Sequence, residues 1–504
     1  MIGLGGSNSI QNYTSSTTPK GATIYNKLVV APYNYVLPGY YRDNTGALRS
    51  GGSYGFYWSS TSYSNNTDAR YLRIYSNAVD SARSYGRRDG FAVRCVYQPP
   101  EPDPCEGHEN ELYCKVKAMS KGTQTLAQLR AAITVPTSAD RTQDTSNSGV
   151  YEYNASVFGT SSDASNTSKI YYYRGVLENS VGSYGSDGSA VTYPNYVKLG
   201  NTCWRIVRTT GSGGVKMIYN GTYGATTSGS CANTEANAQV TTSAFNGTSS
   251  DGRYQIVRVG YTHNSTYAVN TSKSGTIAQI FGSNSNPGAN NTRSTIKEYI
   301  EDTWYANNMT SYTSKLEASA GYCNDRTMNT STSWTTPLAE SATIASTYGT
   351  SDLQAYYFGA FARNTRTAQA PSLTCGNKYS QIDRSTVDLY RYVANSTGVS
   401  NQLKYPAALL TADEAAFAGS GWGSSTTPYH ANSFLRSGSN FWLLSPSDRF
   451  PNGLAIGFRL YSDGNLYNDF VEFSYGVRPA ISLTPGTMAA SGTGTAADPW
   501  IVNP

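Results

Sequence analysis

Short runs of hydrophobic residues alternate with polar stretches rich in Gly, Ser, Thr and Asn through most of the chain, and this pattern predicts short β-strands joined by loops. The runs at 204–208 and 215–219 flank a Gly-rich turn and predict a β-hairpin. Helical spacing is rarer: it occurs at 111–133, and capping boxes at Thr295 and Thr411 predict the starts of two further helices. We therefore expect an α+β fold that is mostly β, with long polar loops and few short helices.

A pattern of aromatic and arginine residues occurs twice, once near each end of the chain. The first copy runs from Trp58 to Arg94 and the second from Trp442 to Arg478, and each pair is 36 positions apart. Both copies contain an Arg-x-Tyr-Ser segment: Arg73-Ile74-Tyr75-Ser76 and Arg459-Leu460-Tyr461-Ser462. Between these anchors the residues differ, which indicates a scaffold that displays a binding surface. We expect the two Trp in the core and the two terminal Arg to tie strand ends to buried carbonyls or carboxylates.

The composition is that of an ordered, loop-rich protein. Charged residues make up 14% of the 504 residues, well below the roughly 25% of a typical soluble protein. Uncharged polar residues replace them, together with 48 Gly and 42 Tyr. Aromatic residues at 12% argue against disorder, because disordered chains lack the apolar mass to form a core.

The charge pattern limits the classes of partner. The formal charge of +5 is small for this length and no Lys/Arg block of five or more occurs, so we expect no nucleic-acid partner. No stretch of about 18 apolar residues occurs, so we expect no membrane span in this chain. Few Lys and Glu, many Asn-X-Ser/Thr triplets and the Cys spacings are typical of an extracellular or cell-surface protein.

Seven cysteines are present, and six of them are candidates for disulfides. Cys105 and Cys114 bracket a short loop, and Cys203 and Cys231 bracket the predicted hairpin. Cys323 and Cys375 could close a long insertion. The connectivity is not fixed by the sequence. Cys95 is left over. No CxxC or His-x3-His spacing occurs, so we expect neither a metal site nor a cofactor.

A Pro-rich stretch at 98–104 predicts a stiff linker and marks the clearest boundary in the chain. We expect a first module at 1–98, a linker with a short helix at 99–150, and a large domain at 151–504. The large domain carries polar insertions at about 220–400.

The candidate binding residues lie between the anchors of the two copies. In the second copy, Asp463-Gly464 predicts a hairpin turn, and Phe458, Leu460, Leu466 and Phe470 supply core faces. The remaining aromatic and charged residues are too many to be buried on one face of the hairpin, so we expect them at the surface: Arg449, Phe450, Tyr461, Tyr467, Asp469, Glu472 and Phe473. The corresponding set in the first copy is Tyr63, Asn65, Tyr71, Arg73, Tyr75, Arg83, Tyr85, Arg87 and Arg88. Such a density of rings and Arg is typical of recognition surfaces.

Two segments resemble families of bacterial surface proteins. Gly55-Phe56-Tyr57-Trp58-Ser59-Ser60-Thr61 and Gly90-Phe91-Ala92-Val93-Arg94-Cys95-Val96 resemble the FISUMP major paralogous domain. Leu410-Thr411-Ala412-Asp413-Glu414, Trp442-Leu443-Leu444-Ser445-Pro446 and Gly476-Val477-Arg478-Pro479-Ala480-Ile481-Ser482-Leu483 resemble a second, uncharacterised surface family. Both families are similar to the C-type-lectin-like fold of formylglycine-generating enzyme and of the variable proteins of diversity-generating retroelements. The resemblance implies two such modules.

The first module departs from the FISUMP pattern at its start. That domain usually begins with a Cys-Pro-x-Gly-Trp-Arg-Leu-Pro-like strand, whose Cys would be the natural partner of Cys95. This strand is absent, so we expect Met1 to fall inside a domain.

We expect a non-enzymatic, adhesin-like display protein that binds a protein or a glycan. An alternative is a structural subunit of an extracellular filament or phage fibre, in which a neighbouring chain completes the first module. A second alternative is a degenerate relative of formylglycine-generating enzyme, although no close Cys pair lies in the C-terminal segment. With three His and no Gly-x-Ser-x-Gly, HExxH or P-loop motif, we expect no catalytic residues.

Overall fold

The computed structural model divides the chain into two units, Met1–Pro102 and Asp103–Pro504. It describes residues 36–62, 67–75, 78–93, 105–125, 128–129, 148–153, 170–175, 193–232, 235–247, 255–268, 273–283, 286–330, 338–345, 354–364, 371–373, 375, 388–423, 433–449, 454–462 and 464–504. As expected, the fold is mostly β with few short helices.

The first unit is built on a small antiparallel sheet. Its described strands are β1 Tyr40–Tyr41, β2 Leu48–Arg49, β3 Tyr54–Ser62, β4 Asp68–Tyr75 and β5 Ala78–Gly86. β1 and β2 form a hairpin, and β3, β4 and β5 form a meander. Because successive side chains of a strand point to opposite faces, the meander supports two small cores. Tyr57, Ile74 and Val79 form one core, and Phe56 packs with other rings in the second.

The second unit contains most of the strands. In chain order, those described are β6 Ser120–Thr123, β7 Gly149–Tyr153, β8 Ile170–Arg174, β9 Tyr196–Leu199, β10 Thr202–Thr209, β11 Val215–Thr222, β12 Thr241–Ala244, β13 Thr262–His263, β14 Ser274–Thr276, β15 Thr292–Arg293, β16 Tyr322–Cys323, β17 Met328–Asn329, β18 Thr343–Ala345, β19 Tyr356–Phe358, β20 Leu389–Tyr392, β21 Gln402–Leu403, β22 Ala407–Ala408, β23 Phe441–Arg449, β24 Ala455–Leu460, β25 Leu466–Phe470, β26 Ser474–Val477, β27 Ala480–Leu483 and β28 Trp500–Val502.

Two large sheets organise these strands. One has the order β22-β27-β11-β10-β8-β7-β6, with β9 beside β10 and β28 beside β9. The other has the order β12-β26-β23-β19-β17, with β24 on β23 and β25 on β24. The predicted hairpin is β10–β11, in which Trp204 lies opposite Tyr219. A single large core contains the fully buried Trp204 and Trp442.

The described helices are short. They are α1 Leu112–Ala118, α2 Ile277–Phe281, α3 Thr295–Glu298, a π-helical turn Tyr299–Tyr305, α4 Ala306–Asn308, α5 Gly359–Asn364 and α6 Ala412–Phe417, with 3-10 turns at Glu235–Ala238, Ile256–Val259, Pro287–Ala289 and Thr310–Lys315. The capping box at Thr411 is confirmed, with Glu414 as its second member. At α3 the prediction was wrong by one residue: Ser294 is the N-cap, and the Thr295 hydroxyl donates to the Gly247 carbonyl instead.

The segment after the Pro-rich stretch belongs to the second unit. The helix expected at 111–133 ends at Ala118, and β6 follows it and pairs with β7 in parallel. Leu112 and Val116 on α1 are buried in the large core. The expected separation of this segment from the large domain was therefore wrong, because its apolar side chains complete that domain's core.

Three disulfides join the described cysteines: Cys105–Cys114, Cys203–Cys231 and Cys323–Cys375. They are the three pairs that the spacing bracketed. Cys95 lies outside the described residues.

Candidate ligand-binding surface

The repeated sequence frame has the same local topology in both units. β3–β4–β5 and β23–β24–β25 are both antiparallel meanders. In the first unit Tyr57 forms a parallel bridge with Ala92. In the second unit the equivalent residue, Phe441, pairs in parallel with the equivalent Gly476. The two copies therefore share a local structure as well as a sequence pattern.

The tryptophans of the two frames occupy equivalent places. The Trp58 ring lies 4.3 Å from that of Phe91, and the Trp442 ring lies 5.2 Å from that of Tyr475, the residue equivalent to Phe91. Trp442 is fully buried, and its Nε1 donates to the Ser243 carbonyl over 2.9 Å. The expected core position is confirmed for Trp442, whereas Trp58 is only half-buried at the edge of the ring cluster.

The arginine of each Arg-x-Tyr-Ser segment is held in the same way. Arg73 Nη2 lies 3.1 Å from Asp80 Oδ2, and Arg459 Nη2 lies 3.1 Å from Asp469 Oδ2. Each guanidinium also stacks on the Tyr two residues later, at 5.0 Å from the Tyr75 ring and 4.9 Å in the second copy. We call this arrangement the arginine clamp. It fixes a tyrosine ring at the same position of both meanders.

In the second unit the clamp lies beneath a group of aromatic rings. Arg459 is almost fully buried, and its guanidinium carbon is 4.9, 5.1 and 4.6 Å from the ring centres of Tyr461, Tyr467 and Tyr475. The Tyr475 hydroxyl donates to Asp469 Oδ2 over 2.6 Å. Burial, together with this hydrogen bond, raises the pKa of Tyr475 to about 12, so the phenol stays protonated and keeps donating.

The outer side of this group is accessible. Tyr461 is 38% exposed and Phe473 is 41% exposed, values that few large hydrophobic side chains of the described chain reach. Tyr467, Asp469 and Glu472 are half-buried beside them. Phe473 also packs against Phe470, at 5.4 Å between ring centres. We call the surface formed by Tyr461, Tyr467, Asp469, Glu472 and Phe473 the hairpin surface.

Trp422 belongs to the same surface and was missed by sequence reasoning. Its ring stacks on that of Tyr467, with centres 5.8 Å apart and planes at 8°. The neighbouring Gly423 lets this segment run along β25, because a Cβ there would lie 2.6 Å from the Asn465 side chain. The Gly-Trp-Gly sequence at 421–423 was a signal of such a close approach.

Arg449 is not part of the hairpin surface, so this prediction was wrong. The side chain is fully buried, donates from Nη1 to the Ala345 carbonyl over 3.1 Å and lies over the Tyr356 ring. The reason is that β23 is a central strand whose nine residues are all buried, so no side chain of it faces solvent. Phe450 lies outside the described residues. Phe458, Leu460 and Leu466 are in the core as expected, whereas Phe470 is only half-buried.

The first-copy set divides into buried and exposed members. Tyr71 is only 4% exposed within the ring cluster, so its expected place on the display surface was wrong. Arg73 and Arg83 both bind the fully buried Asp80, which ties them to the scaffold. Tyr75 is half-buried, while three further members are exposed: Tyr85, Arg87 and Arg88. Two members lie outside the described residues: Tyr63 and Asn65.

Arg478 has the structural role expected of it. Its Nε donates to the Tyr219 carbonyl over 3.0 Å and its Nη1 to the Leu435 carbonyl over 2.8 Å. Nη2 donates to Asn220 Oδ1 over 3.2 Å. The residue therefore ties the end of the frame to β11 and to the turn that contains Leu435. The equivalent Arg94 lies outside the described residues.

A buried ionic cluster in the second unit is a structural centre. Glu414 accepts hydrogen bonds from Arg208 Nε over 2.8 Å and from Lys216 Nζ over 3.0 Å. Burial opposes its ionisation, but these two cations outweigh it and hold the pKa of Glu414 at about 2. Arg363 similarly bridges Asp325 and Asp413. The cavity among these groups measures ≈ 20 Å³, which is room for about one water.

One histidine of the described residues is buried and held neutral. Burial lowers the pKa of His263 to about 3, which keeps it neutral, and its Nδ1 lies 3.3 Å from Asn246 Nδ2. Within the described ranges no group of three His, Cys, Asp or Glu side chains is placed to hold a metal ion. In the same part of the chain, no helix is long and apolar enough to cross a membrane.

Known proteins offer no template for this surface. No family model, no curated protein and no solved structure matches the chain.

Proposed function

We propose that this chain is an extracellular or cell-surface ligand-binding protein of adhesin type, and that it binds its ligand non-covalently through the hairpin surface. The observation that carries the proposal is the arginine clamp beneath exposed rings. Arg459 and Asp469 hold Tyr461 and Tyr467 in place before any ligand arrives. Ordering side chains on binding costs free energy, so rings that are already fixed favour tight association.

The extracellular location is supported by the three disulfides, because such bonds persist in oxidising compartments. The equivalent meanders of the two units support the idea that both are modules of one fold type, which we take from the resemblance to be C-type-lectin-like. The ligand of such a surface is a protein or a glycan, because tyrosine rings and carboxylates suit either.

A non-enzymatic role is part of the proposal. The buried charges around Glu414 are neutralised by one another, and the cavity beside them is too small for a substrate. The half-buried polar groups of the hairpin surface lie at the protein exterior, where they can make hydrogen bonds to a ligand. They do not enclose the ligand in a pocket that shields it from water.

The test is a screen of the purified chain on arrays of glycans and cell-surface proteins. It is run beside the triple variant Tyr461→Ala, Tyr467→Ala, Phe473→Ala. The matched control is Val393→Ala with Met488→Ala, which removes two exposed hydrophobic side chains that are not part of the hairpin surface. We expect the wild type and the control to bind the same ligand and the triple variant to lose it. An array on which no ligand binds, or binding that the triple variant keeps, contradicts the proposal.

A further inference from the structure

The first unit carries an unusual set of charges. Its described residues include seven Arg and four Asp, with no Lys, Glu or His. Five of the Arg are exposed: Arg42, Arg49, Arg83, Arg87 and Arg88. Of the four Asp, only Asp43 is exposed. The described surface of this unit is therefore strongly electropositive, although the whole chain has a formal charge of only +5.

Two of the four described acidic groups of the unit are buried inside it. Asp80 is fully buried and accepts hydrogen bonds from Arg73 and Arg83. Asp89 is buried and accepts the backbone N–H of Asp43 over 3.1 Å. The Arg83 side chain is still 53% exposed after this pairing, so it remains open to a further anion. The exposed guanidinium groups are thus left with little opposing charge at the surface.

Aromatic rings line the same face of the meander as Arg83. In the β3–β4–β5 register, side chains on this face come from Tyr54, Phe56 and Trp58 on β3 and from Tyr71, Tyr75 and Tyr85 on β4 and β5. Ring contacts of 4.3 to 6.4 Å join these residues to one another and to Tyr40 and Phe91. Phe56, Tyr71 and Phe91 form the buried layer, and the other rings are partly exposed around it.

An exposed guanidinium lies beside the most exposed of these rings. Tyr85 is 37% exposed and packs on Tyr40 at 6.2 Å. Burial raises the pKa of Tyr85, and the charge of Arg42 lies near enough to oppose that shift. Arg87, two residues later, donates from Nε to the Asp68 carbonyl over 2.9 Å and is thereby fixed at the end of the sheet. The ring face therefore has positively charged groups at its edge.

We infer that this ring face binds an acidic polysaccharide, a sugar polymer that carries carboxylate or sulfate groups. Guanidinium groups bind such oxyanions with two parallel hydrogen bonds, and the flat C–H faces of sugar rings can cover the tyrosines between them. Duplex nucleic acid fits less well, because its bases are stacked on one another inside the helix and leave no flat face to cover the tyrosines. This inference does not depend on the hairpin surface, since the residues belong to the other unit.

The experiment titrates the full chain with heparin and with polygalacturonate, and with dextran, polyglutamate and duplex DNA as comparators. The main variant is Arg42→Gln with Arg88→Gln, two exposed side chains that make no hydrogen bond to another described residue. The matched control, Lys115→Gln with Lys315→Gln, removes the same charge from the second unit. A Tyr85→Ala variant tests the ring face separately from the charge.

We expect binding to one or both acidic polysaccharides that weakens as salt is raised, and no binding to dextran. The Arg42/Arg88 variant should bind about tenfold more weakly and Tyr85→Ala also more weakly, while the lysine control and the hairpin-surface triple variant bind as the wild type does. Equal or stronger binding to DNA or polyglutamate would overturn the inference, as would an unchanged affinity in the Arg42/Arg88 variant. The absence of binding to either acidic polysaccharide would overturn it as well, without bearing on the hairpin surface.

Discussion

Arg459 Nη2 lies 3.1 Å from Asp469 Oδ2, and this ion pair joins β24 to β25 directly beneath the hairpin surface. The same carboxylate oxygen accepts the Tyr475 hydroxyl over 2.6 Å, so side chains from β24, β25 and β26 meet at one carboxylate. The rings of Tyr461 and Tyr467 rest on the guanidinium that this carboxylate orients. The exposed aromatic surface is therefore built on a fixed base.

Replacing that acceptor should loosen the surface. We expect Asp469→Asn to lower the free energy of unfolding by about 1–2 kcal/mol, because a charge-assisted pair becomes a neutral hydrogen bond. Urea unfolding monitored by circular dichroism measures the change. Glu472→Gln removes the same charge from the same surface and should cost less. Equal losses in the two variants would show that the clamp adds nothing beyond surface charge.

The buried ionic cluster should be far more sensitive. Glu414→Gln leaves Arg208 and Lys216 buried without their counter-charge, and we expect a loss of about 3–5 kcal/mol in unfolding free energy. Asp302→Asn is the control, because its ion pairs with Arg293 and Lys404 are partly exposed to solvent, and we expect it to cost about 1 kcal/mol.

The effect of Glu414 depends on pH in a defined direction. Its folded-state pKa of about 2 lies below the ordinary glutamate value of 4.5, so its stabilising contribution is full above pH 4.5 and is lost as pH falls through 2. The difference between wild type and Glu414→Gln should therefore shrink on acidification over that interval. A difference that stays constant down to pH 2 contradicts the assignment.

Asp448 should behave in the opposite way. Burial raises its pKa to about 6, although Asn468 Nδ2 donates to its Oδ1 over 2.8 Å. The folded protein then binds more protons than the unfolded chain, so the contribution of this group is full below about pH 4 and is lost as pH rises through 6. We expect Asp448→Asn, which keeps an acceptor for Asn468, to stabilise the protein by about 2–3 kcal/mol at pH 7.5 and to have little effect at pH 4. Unfolding curves at the two pH values decide this, and equal effects would refute it.

The three disulfides should contribute in the order of the loops they close. Cys323 and Cys375 are 52 residues apart, whereas Cys105 and Cys114 are 9 apart. Because a longer loop loses more entropy on closure, we expect replacement of both cysteines by Ser to cost about 4 kcal/mol in the first case and about 2.5 in the second. Thermal unfolding of the two double variants measures which disulfide contributes more. A larger loss for the Cys105–Cys114 pair would contradict loop-closure entropy as the main source of the stabilisation.

Local patterns in the sequence anticipated the local features of the fold. The β10–β11 hairpin and the capping box at Thr411 both follow from short-range rules that hold wherever the segment packs. The helix at α1 was predicted too long, because apolar spacing does not reveal that β6 pairs into a sheet after Ala118.

The errors at the candidate site arise from contacts that are distant in sequence. Arg449 was predicted at the surface because the second copy holds more aromatic and charged residues than one buried face accommodates, but β19 and β24 flank β23 and all of its side chains are buried. Trp422 reaches Tyr467 only through the folded structure, since 45 positions separate them in the chain. Burial of Tyr71 likewise depends on the rings of Phe56 and Phe91, which lie on other segments.

The central claim is that the hairpin surface binds the ligand, and the most direct test is a comparison of dissociation constants for the ligand found on the arrays. Isothermal titration calorimetry is run on the wild type, on the Tyr461/Tyr467/Phe473 alanine variant and on the Val393/Met488 alanine control, with the unfolding temperature of each recorded. We expect the triple variant to bind at least about a hundredfold more weakly while it remains folded, because aromatic anchors at interfaces contribute more than 1 kcal/mol each. A triple variant that binds with the wild-type dissociation constant would contradict the account.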